Sequence, residues 1–378
     1  MSGIYIHIPF CRKACHYCDF HFSTNLSYVG EMVKALHTEL RLQRNFLQDG
    51  QVETIYLGGG TPSVLSPADI DSLLSLIYRE YEVAGNMEIT LEANPDDLDG
   101  DYLGNIRAAG INRLSIGTQS FDDRVLKLMN RSHSAAQSIS SVELARKAGF
   151  DNLNMDLIYA VPSSGLAVWE NDLATMIGIS PEHISAYHLT IEDKTVFGNW
   201  YMKGKLSVPG EEESVSQYQT LVESLEKTGY EHYEVSNFAK KGKKSKHNSA
   251  YWKGSYYLGI GPGAHSYDGE TRRYNVSHNI KYIKSLGDHK IPSEIEVLTR
   301  TNKINEYILT GLRTWRGIDK KVLRENFGYV FETAKISYLN SLVENDLAKW
   351  SGGCLKLTDK GLLLADRIAE DLFLEEYD

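Results

Sequence analysis

Three of the four cysteines in this 378-residue chain, Cys11, Cys15 and Cys18, fall within one eight-residue stretch, and only Cys354 stands apart. The spacing Cys-x3-Cys-x2-Cys directly follows a short apolar, β-rich stretch at 3–8. Four cysteines are too few to staple a chain of this length with disulfides. Three thiolates on one tight loop can hold three irons of a cubane cluster. Structural [4Fe–4S] sites use four cysteines, so a missing ligand leaves one iron open for chemistry. The alternative is structural zinc, with His7, His16 or His21 as fourth ligand. Cys354 has no metal partner within reach in sequence and reads as a buried thiol.

The formal net charge of -10 argues against a partner held through phosphates, so nucleic acid is excluded. No basic leader precedes an apolar stretch, and clustered thiols fit a reducing compartment, so the expected location is the cytoplasm. No apolar run reaches the length of a membrane span; peripheral membrane contact stays open.

Strand-like and helix-like stretches alternate up to about residue 235. Strands are expected at 3–8, 52–57, 88–92, 113–116, 153–159, 183–189 and 231–235. Helices are expected at 28–48, from 66, after the turn at 94–97, at 134–147, near 168–177 and at 211–227. Ser66 followed by Pro67 is a helix start, and Gly149 a helix stop. Repeated β-α units imply a parallel sheet, and six or seven units imply a partial (β/α)6 barrel of α/β class rather than a closed one. The pattern breaks at Phe238. Residues 236–289 read as a linker rich in Gly, Lys, Tyr and His, in which Lys240, Lys241, Lys243, Lys244 and Lys246 form a solvated loop or an anion-binding patch. Residues 290–378 read as a mainly helical, winged-helix-like domain, with a hairpin turning at Gly352-Gly353 and no role in reading DNA.

The residues Tyr5-Ile-His-Ile-Pro-Phe-Cys11 through Cys15-His-Tyr-Cys18-Asp-Phe20 resemble the radical S-adenosylmethionine (SAM) superfamily. Within it they resemble the branch of oxygen-independent coproporphyrinogen III dehydrogenase and the HemW-type haem chaperones. The resemblance spans the chain and implies a [4Fe–4S] cluster on Cys11, Cys15 and Cys18. It also implies SAM contacts, at Tyr5 and Tyr17 beside the cluster and at Gly59, Gly60 and Thr61 after the second strand. The other contacts are Glu92 in Glu-Ala-Asn-Pro, Gln119 in Gly-Thr-Gln-Ser, Arg131 in Met-Asn-Arg-Ser-His, and Asp156 in Asn-Met-Asp-Leu. Active loops of β/α barrels follow the strands, where these residues lie. Glycine amides can also bind a carboxylate or amine-bearing head group.

The segment His247-Asn-Ser-Ala-Tyr251-Trp252 resembles the HNxxYW signature of the haem chaperones. It implies His247 as haem-iron ligand and Tyr251 as a weaker one through its phenolate, with aromatic rings against the porphyrin. Two differences point away from the dehydrogenase: Phe20 stands where it carries a further cysteine, and the sequence starts at the first barrel strand, without an N-terminal extension. The resemblance implies a haem chaperone binding [4Fe–4S], SAM and haem, with respiratory haem proteins as acceptors. The alternative is the oxidative decarboxylation of coproporphyrinogen.

Overall fold

The computed structural model describes residues 2–47 and 50–375. Six parallel strands run in sequence order: β1 (Ser2–Ile8), β2 (Val52–Gly59), β3 (Val83–Ala93), β4 (Arg113–Gln119), β5 (Leu153–Tyr159) and β6 (His183–His188). Each is followed by at least one helix that packs on the outer face of the sheet. Val29–Leu42 follows β1, Pro67–Glu80 follows β2, and Glu211–Lys227 follows β6. The local chemistry explains the starts. Ser66 accepts a bond from the Asp69 amide with Pro67 at the first turn, and Ser134 and Gln137 form a capping box. The helix expected over 28–48 ends at Leu42; Gln48 lies outside the described residues.

Period-two alternation divides each strand between two environments. In β1, Ile4, Ile6 and Ile8 are buried in the core under the helices. Tyr5 and His7 point the other way, into the space the curved sheet encloses. On β4 the inward set is Arg113, Ser115, Gly117 and Gln119, and on β5 it is Asn154, Asp156 and Ile158. The interior of this partial barrel is therefore polar.

The segment after β6 departs from the expected pattern. Residues 231–235 were expected as a seventh repeat strand; β7 (Glu231–Glu234) instead forms an antiparallel edge with β8 (Asn237–Ala239), which pairs antiparallel with β6. Residues 236–289, expected as a linker, supply strands to the same sheet. β9 (Tyr256–Ile260) pairs parallel with β1. β10 (His265–Tyr267), β11 (Thr271–Asn275) and β12 (Ser293–Val297) continue outward as an antiparallel ladder. Among the described residues the sheet has 12 strands, in the order β12-β11-β10-β9-β1-β2-β3-β4-β5-β6-β8-β7, and stays open. The lysine run is also more ordered than a solvated loop. Lys240 donates to the Ser180 carbonyl at 2.7 Å, Lys246 to the Asn86 carbonyl at 3.1 Å, and Lys244 pairs with Glu231 at 2.8 Å.

The C-terminal module has a separate apolar core around Ile304, Ile308, Leu312, Leu339, Leu355 and Ile368. Its wing is a three-stranded antiparallel sheet of β13 (Ile318–Asp319), β14 (Ala348–Ser351) and β15 (Cys354–Leu357), in the order β13-β15-β14. Gly352 and Gly353 turn the hairpin at φ 60° and 84°. Cys354 is half-buried on β15 rather than enclosed. The module seals the β7 edge: Val235 donates to the Arg313 carbonyl and Trp315 to the Tyr233 carbonyl, which removes an exposed strand edge. Among the described residues no helix is long and apolar enough to cross a membrane.

Candidate functional site

The cysteine loop leaves the top of β1 and is held at several points. Cys11 N–H bonds the Ser23 carbonyl, His16 N–H the Met129 carbonyl, and Asn130 Nδ2 the Ala14 carbonyl at 2.6 Å. Two of the three sulfurs accept side-chain bonds: Thr61 Oγ1 donates to Cys11 Sγ at 3.4 Å and Arg131 Nη1 to Cys15 Sγ at 3.2 Å. Burial pushes the Cys11 thiol up to about 11 and the Cys18 thiol up to about 12, so thiolates form there only beside a strong cation. Among the described residues no three His, Cys, Asp or Glu side chains converge to hold a single ion. A cubane spreads its cysteines over different irons and needs no such point of convergence. The histidines considered for zinc are engaged elsewhere. His16 Nδ1 bonds the Leu128 carbonyl, His7 Nε2 the His21 carbonyl, and His21 Nε2 the Asn279 side chain. The donor set fits a cluster better than zinc.

The residues expected around SAM gather at the same pole. Glu92, at the end of β3, accepts from Tyr56 Oη at 2.7 Å and from Gly59 N–H at 3.1 Å. Asp156 on β5 accepts from Asn154 Nδ2 at 2.6 Å. Burial raises Glu92 to about 7 and Asp156 to about 6. Arg131 Nη2 donates to Asn94 Oδ1 and to the Gly117 carbonyl, while its buried Nε has no partner. Gln119 holds φ 69°, and Asn130 and Ala160, beside Arg131 and β5, hold φ 62° and 57°. Strained non-glycine backbone of this kind persists where the surroundings impose it, commonly at ligand sites. Two neighbouring carboxylates and an unpartnered guanidinium nitrogen fit a ligand with a diol and a carboxylate. Tyr17 lies between Cys15 and Cys18, its phenol pushed up by burial, and Tyr5 Oη meets His7 Nδ1 at 3.1 Å.

The glycine loop works differently from the expectation. The amide N–H groups of Gly59, Gly60 and Thr61 bond Glu92, the Ile8 carbonyl and the Phe10 carbonyl, so none is left for a head group. A Cβ on Gly60 would sit 2.6 Å from the Phe10 carbonyl oxygen. Glycine is needed there for the approach of the cysteine loop itself.

The largest difference concerns the HNxxYW segment. Helix Lys246–Tyr251 lies at the opposite pole, at the N-terminal ends of the strands, and closes the barrel floor. Glu88 caps it by accepting from the amides of Lys246 and His247. His247 is 2% exposed. Its Nδ1 meets Thr54 Oγ1 at 2.8 Å, its Nε2 meets Tyr251 Oη at 3.2 Å, and its ring stacks on Tyr56 at 5.0 Å. Burial lowers its pKa to about 3, so the imidazole is neutral. Both ring nitrogens are occupied, and the arrangement does not offer His247 or Tyr251 to a porphyrin. Haem does not fit these residues as they stand.

Sequence reasoning missed Asn94, Tyr56, Asn154 and His183. Asn154 Oδ1 accepts from His183 Nδ1 at 2.6 Å, and His183 Nε2 meets Tyr233 Oη at 2.6 Å. It also missed Arg113. The period-two pattern of β4 carried the signal, since it puts Arg113 on the face of Gln119.

The radical SAM superfamily model matches residues 5–171. Over 373 residues the chain is 37% identical to the heme chaperone HemW of Bacillus subtilis (strain 168), covering 97% of this chain and 98% of that protein. It is 35% identical over 375 residues to the heme chaperone HemW of Lactococcus lactis subsp. lactis (strain IL1403), covering 99% and 98%. The chain belongs to the HemW heme chaperone family. Among solved structures, coproporphyrinogen III oxidase (HemN) from Escherichia coli, described as a radical SAM enzyme, superposes with a TM-score of 0.85. It is 23% identical and covers 100% of this chain and 90% of that one. That likeness establishes the partial radical SAM barrel with its C-terminal module. Membership of the HemW family within the radical SAM superfamily implies a [4Fe–4S] cluster and SAM.

Proposed function

We propose that this chain binds haem and passes it to haem-accepting proteins, on a scaffold that also holds a [4Fe–4S] cluster and SAM. The observation that carries this reading is the likeness, over nearly the full length of both chains, to proteins named heme chaperone HemW. Cys11, Cys15 and Cys18 hold the cluster, with Thr61 donating to Cys11 Sγ and Arg131 to Cys15 Sγ. Bound there, the cluster supplies an iron with an open position and a source of one electron. Glu92 and Asp156 accept bonds from the ribose hydroxyls of SAM. Arg131, through its free Nε, and Gln119 take the amino-acid carboxylate. Gly59, Gly60 and Thr61 form a tight shelf beneath it, and Tyr5 and Tyr17 flank the site.

Haem is the cargo. By the resemblance of the HNxxYW segment His247 and Tyr251 would ligate it; in this structure His247 Nε2 is bonded to Tyr251 Oη instead. The acceptors proposed are respiratory haem proteins, as the resemblance of the sequence motifs implies, and the proposed place of action is the cytoplasm. The test uses anaerobically reconstituted protein with SAM and a reductant. With a haem-free acceptor and haem-loaded protein, the acceptor's haem spectrum is expected to grow. With coproporphyrinogen III, no protoporphyrinogen is expected, and its formation would overturn the chaperone reading.

A further inference from the structure

Arg113 is 1% exposed and is the bulkiest of the fully buried side chains. It opens β4 opposite Thr90 of β3, one inward step below the Glu92–Ser115 pair. Among the described residues its Nε has no hydrogen-bond partner, and the hydroxyl of Thr90 beside it is also unpartnered. No ion pair among the described residues closes on this guanidinium, although a buried cation is ordinarily paired. A cation left alone inside a protein is destabilising unless charges nearby compensate it. Burial raises Glu92 and Asp156; hydrogen bonds oppose it most, from Tyr56 and Gly59 to Glu92 and from Asn154 and Ser185 to Asp156, and the field of Arg113 adds to them in the same direction at both groups. It also helps to keep His183 and His247 neutral.

We propose that Arg113 is the counter-charge of the Glu92–Asp156 pair, a positioning residue that favours the carboxylate form of both groups so that they can accept bonds from a ribose diol. The inference rests on the SAM reading of those two residues. An ionised carboxylate only accepts, whereas a protonated one presents a donor to the hydroxyl it should receive. Two carboxylates close together in a buried site repel, and one is expected to take up a proton. Arg113 opposes this through space, which explains why it forms no contact pair: a direct salt bridge would occupy the oxygens that the ligand needs. The other groups facing Glu92 are Tyr56 on β2 and Tyr5 on β1. Asp156 is faced by Arg131 and by Tyr187 on β6. Arg131 is already committed to Cys15, Asn94 and Gly117. Arg113 is thus the cation left to serve the pair.

The experiment measures SAM binding to the reconstituted full chain by equilibrium dialysis across a pH series. For Arg113→Met we expect affinity near neutral pH to fall by about tenfold, which is ~1.4 kcal/mol. The affinity should recover as pH rises, because the carboxylates of the variant ionise later. Arg113→Lys keeps the charge and should keep the wild-type profile. Wild-type affinity and profile in Arg113→Met would overturn the proposal. A second arm needs no Arg113 variant to fold and no SAM. The infrared carboxylic-acid carbonyl band of the wild-type chain is compared with that of Glu92→Gln at about pH 8.5, above the value set by burial. We expect no protonated band that the substitution removes; such a band would overturn the proposal. Failure of the wild-type chain to bind SAM would strike the SAM reading alone, because the infrared arm reports ionisation independently.

Discussion

The two poles of the barrel are built from similar polar residues and are left in opposite states. At the C-terminal ends of the strands, Arg131 Nε and His133 Nδ1 are buried without partners, and Gln119 and Ala160 hold left-handed backbone. Burial there raises two carboxylates and two thiols. At the floor, His247 has a partner on each ring nitrogen and Glu88 caps its helix. Buried polar groups that satisfy one another stabilise a fold, and those left wanting mark a place where a ligand completes the set. At the upper pole the unpartnered groups line the cysteine loop; at the floor His247 is satisfied, while Arg113 Nε, Thr90 Oγ1 and Trp252 Nε1 stay without partners among the described residues. In this structure His247 and Tyr251 of the HNxxYW segment are engaged with Thr54 and with each other at the barrel floor.

The contrast can be broken at several points, with effects of decreasing size. Cys15→Ser should abolish iron retention after anaerobic reconstitution, and full iron content in that variant would contradict the ligand assignment. His247→Ala should cost about 2–4 kcal/mol of stability, through a cavity and the unpaired Thr54 and Tyr251 hydroxyls, read as a lower denaturation midpoint. An unchanged midpoint together with lost haem binding would instead favour ligation over closure. Glu92→Gln should act in the opposite sense on stability. Glu92 rises from 4.5 unfolded to about 7 folded, so its protonated form favours the fold. That contribution is present below the unfolded value and is lost as pH rises through the folded one. Ionising it at neutral pH costs the apo-protein up to about 3 kcal/mol, so the glutamine variant should be more stable above pH 7 while SAM binding falls. His247 supplies the converse pH dependence. Its folded pKa is depressed to about 3 from 6.5, so stability present above 6.5 is lost as pH falls below it, and His247→Gln should flatten that acid slope. The smallest effect is expected for Tyr251→Phe, about 1 kcal/mol for one hydrogen bond.

The sequence made the upper pole legible because its chemistry is local or sits at strand ends. The Cys-x3-Cys-x2-Cys spacing, Ser66-Pro67, and the alternation that ends β3 at Glu92 and β5 near Asp156 each depend on neighbours along the chain. The region after β6 was illegible for the opposite reason. β9 owes its place to pairing with β1, some 250 residues earlier, and no periodicity within 236–289 signals that partner. The surroundings of His247 were illegible on the same account: its motif is local, but its contacts, Thr54 and Glu88, lie 193 and 159 residues away. The amides after β2 looked free because the carbonyls of Ile8 and Phe10 that take them cannot be seen from the glycines themselves.

The most direct test of the account is a haem titration of the anaerobically reconstituted chain, followed in the visible spectrum beside an iron assay. The account predicts a saturable haem spectrum at about one haem per chain, with the cluster absorbance retained throughout. Haem absorbance that rises without saturation, or that appears only as cluster iron is lost, would contradict it.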